Sequence, residues 1–120
     1  MKYQIVKEDE FLLIKISGKT RKNESVLSNE LLKPYLQDKE VKVIIDLKEL
    51  EKFEPTILLG VLNTLKKEID LLRGGLMICS LKPEMENYLR ENRFDHIFLH
   101  IFEDAEKAKK ESRERSWKII

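Results

Sequence analysis

Glycine is scarce in this chain, at 4 of 120 residues, and so are proline at 3, cysteine at 1 and aromatics at 8%. Nucleotide-binding loops spend glycines to bring backbone close to phosphate, and neither GxGxxG nor GxxxxGK[ST] occurs. The one glycine pair, Gly74 and Gly75, follows an apolar periodic segment, where it reads as a helix stop. The lone Cys79 has no intrachain disulfide partner and sits in the apolar run 76–81, the setting of a small buried side chain. Charge of one sign is missing too. Lys plus Arg number 23 against 22 Asp plus Glu, a net charge of +1, so nothing draws the chain as a whole toward nucleic acid or an anionic membrane. No apolar run approaches the ~18 residues that a bilayer requires. The opening MKYQIVKEDE lacks the apolar core of a signal peptide, so the expected location is the cytoplasm. His96 and His100 have no nearby cysteine and no HExxH pattern, which argues against a metal site. No Ser or Cys is spaced with a His and an orienting acid as nucleophilic catalysis requires. The expectation is a protein that is not an enzyme and holds no cofactor.

What is present is one domain's worth of alternating pattern, large enough to bury a core without disulfide or metal staples. Residues 3–7 and 11–17 are rich in β-formers around the polar Glu8, Asp9 and Glu10, which predicts a hairpin with Ile5, Leu12, Ile14 and Ile16 toward the core. Gly18 ends the second strand. A basic loop, 19–23, leads to a cap at Asn23 or Ser25 and a helix carrying Val26, Leu27, Leu31, Leu32, Tyr35 and Leu36, which Pro34 kinks or shortens.

Residues 41–47, nearly all apolar, fit a strand covered on both faces. Leu58, Val61, Leu62, Leu65, Ile69 and Leu72 then recur at three- and four-residue spacing, a helix whose first turn accommodates Pro55. A buried strand at 76–81, a short helix from Pro83 with Met85, Tyr88 and Leu89, a strand at 96–101 and a charged helix from Glu103 complete the order ββαβαβαβα. This predicts an α/β fold: a mixed sheet of about five strands with about four helices, the 41–47 and 76–81 strands being central parallel neighbours. The domain spans 1–110, and 111–120 form a charged helical extension. Its Trp117, Ile119 and Ile120 either pack back on the domain or offer a contact to a partner.

The element order, with DLKELEKFEPTILLGVL, RGGLMICSLKPEMENYL and FEDAEKA, resembles the STAS domain, and more narrowly the single-domain bacterial anti-sigma factor antagonists. In that family the turn before the second helix carries an acid followed by a serine, then a second hydroxyl residue and glycine. The serine is phosphorylated by a partner anti-sigma factor that is also a serine kinase. Here Glu54 matches the acid, Pro55 stands at the acceptor, Thr56 matches the second hydroxyl and Ile57 replaces the glycine. A one-residue shift would make Thr56 the acceptor; in the simple register Thr56 helps cap the helix and the phosphorylation switch is missing. The family often has acidic or polar residues after the strand-end glycine, where this chain has Lys19, Arg21 and Lys22, either a solvated loop or a contact for an acidic partner. The resemblance implies a protein that binds an anti-sigma factor through Glu54, Pro55, Thr56, Ile57 and Leu58 and the neighbouring basic loop, in a partner-switching pathway that regulates transcription. Two alternatives stand beside it: a STAS scaffold that is never phosphorylated, and a STAS module that senses a small ligand at the carboxyl ends of its strands.

Overall fold

A computed structural model describes residues 1–8, 10–21, 33–34, 42–71, 75–93 and 100–114. Strand β1 (Lys2–Glu8) and strand β2 (Phe11–Lys19) form an antiparallel hairpin whose register runs from Lys2 opposite Ser17 to Glu8 opposite Phe11. Beyond the hairpin the ladders are parallel. Strand β3 (Lys42–Asp46) pairs with β2 from Phe11 opposite Lys42 to Lys15 opposite Asp46. Strand β5 (Gly75–Cys79) pairs with β3, and the short β6 (Ile101–Phe102) with β5. The sheet order is β1-β2-β3-β5-β6, so the two apolar runs expected at its centre are parallel neighbours there.

One strand has no counterpart in the sequence prediction. β4 (Leu50–Lys52) lies parallel to the far end of β2, beyond the reach of β3, with Gly18 opposite Leu50 and Lys19 opposite Lys52. The register shifts between those pairs, and Gly18 there has φ +87°, a conformation that glycine adopts without steric cost. Three residues with one buried side chain are too short to show a period. β2 also runs to Lys19, past the glycine expected to end it.

Helix α1 (Pro55–Leu71) supplies the crossover from β4 to β5, α2 (Pro83–Glu91) follows β5, and α3 (Ala105–Glu114) follows β6. Three helices are thus described where four were expected. The first expected helix lies outside the described residues except for Lys33 and Pro34, which are helical. Residues 96–99 of the predicted last strand and the Trp117, Ile119 and Ile120 tail also lie outside them. α3 passes residue 110 without a break.

The sheet carries a core on each face because β2, β3 and β5 are buried on both. On one side Leu12, Ile14, Ile16, Val43, Ile45 and Ile78 meet Leu58, Val61, Leu62, Leu65 and Ile69 of α1 and Met85 and Leu89 of α2. On the other, Phe11, Leu13, Ile44, Met77 and Cys79 lie under Ala105 and Ala108 of α3. Ile5, expected in the core, is half-buried against the first cluster. Phe11 and Leu13 add a second buried face that a hairpin alone would leave to solvent. α3 is fastened to the hairpin tip by charge: Lys109 pairs with Glu8, and Arg113 Nε lies 3.0 Å from Glu10 Oε1 with its guanidinium 5.4 Å from the Phe11 ring centre.

Candidate functional site

The end of β2, strand β4 and the first turn of α1 converge on one place. Thr20 N–H donates to Lys52 O at 3.1 Å, and Glu54 N–H donates to Thr20 Oγ1 at 2.8 Å. Two hydrogen bonds therefore sew the loop after β2 to the segment entering the helix. α1 starts where the sequence places it, because Pro55 lacks the N–H that a first helical residue could not satisfy and its fixed φ suits the position.

Glu54 caps this helix. Its carbonyl accepts from Leu58 N–H at 3.0 Å, and its carboxylate Oε2 accepts from Ile57 N–H at 3.2 Å, so an orphan donor of the first turn and the positive end of the dipole meet an anion from the chain itself. The capping role expected of Thr56 thus belongs to Glu54. Thr56 is exposed, and its Oγ1 lies 3.4 Å from the phenolic oxygen of Tyr88 on α2, joining the two helices across the surface. Pro55 and Ile57 are half-buried, and Leu58 anchors the turn in the core at 1% exposure.

Of the expected contact residues, Glu54 and Thr56 share this turn. Lys19 and Arg21, both exposed, flank the Thr20 that is bonded to it. Lys22 lies outside the described residues. Sequence reasoning missed Thr20, Lys52 and Tyr88. Thr20 could have been found as the one hydroxyl in a basic loop, and Tyr88 as the polar-tipped member of the α2 stripe. Lys52 could not, because β4 was unseen.

The groups elsewhere with chemical capacity are quiet. Burial, followed by the neighbouring Asp46 charge, pushes the Cys79 thiol up to about 12, far from the thiolate form that reacts. His100 is half-buried, which moves its pKa below the usual imidazole value, while His96 lies outside the described residues. Among the described residues no group of three His, Cys, Asp or Glu could hold a metal ion, and no helix is long and apolar enough to cross a membrane.

The sequence matches the STAS domain family over residues 2–108. No curated protein is significantly similar to it. In structure it is similar to an anti-sigma-factor antagonist (STAS) domain protein from Planctomyces limnophilus, with 18% identity over 88% of this chain and 93% of that one and a TM-score of 0.65. It is also similar to the anti-sigma factor antagonist SpoIIAA in its unphosphorylated form, at 12% identity, 95% and 98% coverage and a TM-score of 0.61. A protein from Thermotoga maritima is 22% identical over 93% of each chain with a TM-score of 0.59. At such identities the likeness is one of fold.

Proposed function

We infer that this chain, which belongs to the STAS domain family, acts without catalysis of its own by binding an anti-sigma factor of the serine-kinase type, in a partner-switching pathway that regulates transcription. The observation that carries this reading is the α1 turn: a helix start tied to the loop after β2, capped from within by Glu54 and offering exposed Thr56 beside Tyr88. Such a turn is rigid, so docking there would cost little ordering entropy. The resemblance to antagonists of anti-sigma factors supplies the kind of partner.

Calorimetry against each kinase-type anti-sigma factor of the source organism tests the reading, with one binder expected. Thr56→Glu adds charge and bulk at the presumed contact and should weaken that binding by ~2 kcal/mol or more, roughly thirtyfold in Kd. Full affinity in Thr56→Glu would move the interface away from α1.

Pro55 favours a second reading, a binder that phosphorylation does not switch off, since the residue at the usual acceptor has no hydroxyl and lies half-buried as the first residue of α1. Incubation with the kinase and ATP followed by phosphopeptide mapping separates the two. Phosphate on Thr56 supports the switch, and no label in the turn supports the constitutive binder.

A further inference from the structure

We propose that Lys19, Arg21 and Lys52 form a cationic rim beside the α1 turn that receives an acidic segment of the partner protein. This rests on the reading of that turn as a docking surface and adds the chemistry of what docks.

Lys19 and Lys52 are register partners across the β2–β4 ladder. Like charges placed opposite one another on paired strands repel, and the arrangement costs stability that a sequence serving only the fold would avoid. Arg21 adds a third exposed cation one residue past Thr20. The bonds from Thr20 to Lys52 and Glu54 fix all three backbone positions relative to the helix start, so the rim and the turn form a single surface.

None of the three cations has an ion-pair partner among the described residues. Four cations elsewhere do form ion pairs: Lys66 with Asp70, Lys107 with Glu103, Lys109 with Glu8 and Glu106, and Arg113 with Glu10. Glu54, two residues past Lys52, turns its carboxylate to the Ile57 N–H of its own helix. Glu49 and Glu51 flank Leu50 on the same segment and form no ion pair with the rim. With a net charge of only +1 over the whole chain, three exposed cations that have no ion pair among the described residues are not a share of a general excess. An exposed cluster of one sign attracts the opposite sign over about a Debye length, ~8 Å at physiological salt, and sets the rate and orientation of encounter. The occupant that fits is a protein segment bearing carboxylates, laid across the end of the β2–β4 ladder while the body of the partner meets the α1 turn.

Two measurements test the rim. The first follows association by stopped flow with the anti-sigma factor that binds in calorimetry. Lys19→Glu with Lys52→Glu should slow association on the order of tenfold at low salt, the gap closing as salt rises. Lys107→Glu with Lys110→Glu on α3 changes the net charge equally and should leave the rate unaltered. Equal slowing in both pairs would overturn the rim, and so would no slowing in either, while Thr56→Glu would still report separately on the turn. The second needs no natural partner: a hexaglutamate peptide is titrated into labelled protein and amide shifts are recorded. Shifts confined to Lys19, Thr20, Arg21 and Lys52, and lost in the Lys19→Glu, Lys52→Glu variant, support the proposal. Shifts spread evenly over the other lysines, or absent altogether, refute it.

Discussion

Glu54 holds the α1 start with its carboxylate and its carbonyl, while Thr20 holds the N–H of Glu54. Glu54→Ala removes the side-chain half of that arrangement and should lower stability by ~1 kcal/mol in urea titration, the usual cost of an N-cap. Cys79 permits a prediction of opposite character. Its thiol stays protonated in the folded protein up to about 12, whereas an unfolded thiol ionises near ~8.5. Stability should therefore fall as pH rises between those values. At pH 8 a maleimide should label Cys79 only after denaturant is added, and rapid labelling of the native protein would contradict its burial. At this scale the sequence was legible where one residue type has one use, as with Pro55 at the helix start and Cys79 in a strand. It was illegible where a side chain's partner is remote. Thr20 and Glu54 are 34 residues apart, and only the fold makes them neighbours.

Helix α1 was legible because its apolar stripe is long and regular, and Leu62 and Leu65 on that stripe are fully buried. Leu65→Ala should cost ~2 to 5 kcal/mol by leaving a cavity beneath the helix. α3 is a different kind of element. It covers large sheet residues with small ones, Ala105 and Ala108, and its buried Ser112 has an Oγ without a hydrogen-bond partner among the described residues. Ser112→Ala should raise the urea midpoint, by an amount equivalent to ~1 kcal/mol, because it removes an unsatisfied buried hydroxyl and favours the helix. Ion pairs add to the fastening here. Hydrogen bonding and attraction from Lys109 hold the Glu8 carboxyl below the usual carboxylate range; a backbone hydrogen bond, then Arg113, does the same for Glu10. Both pKa values are depressed in the folded state. The stabilisation is thus complete above the unfolded carboxylate pKa of ~4.3 and is lost as pH falls through the lower folded values. Urea midpoints compared at pH 7 and pH 3 should drop less in Glu8→Gln than in the parent. The short β4 escaped the sequence because pairing with the tail of another strand, not its own pattern, makes it a strand.

Across the whole molecule, three strands buried on both faces put the slowest-exchanging amides in β2, β3 and β5, with β1 faster at the open edge. Hydrogen exchange monitored by NMR should rank them so; a β1 as protected as β3 would mean that a further strand or a second copy covers that edge. The central pairing of the sheet was readable because two apolar runs joined by a strong helix have few arrangements other than adjacent parallel strands. The second core was only half readable, since Phe11 and Leu13 declare themselves buried only once α3 is known to lie over them. β2 carries a further consequence. In a strand with one wet face, slipping by one residue turns its apolar side chains out to water, and that penalty sets the alignment. Phe11, Leu12, Leu13 and Ile14 are all buried, so a slip would exchange one oily environment for another and oil alone would resist it weakly. The alignment must be locked at the two ends of β2 instead: at the hairpin tip by the Glu10 pairing with Arg113, and at the far end by the left-handed Gly18 and the Thr20 bonds to Lys52 and Glu54. The residues that hold the α1 turn in place therefore also keep count for the sheet.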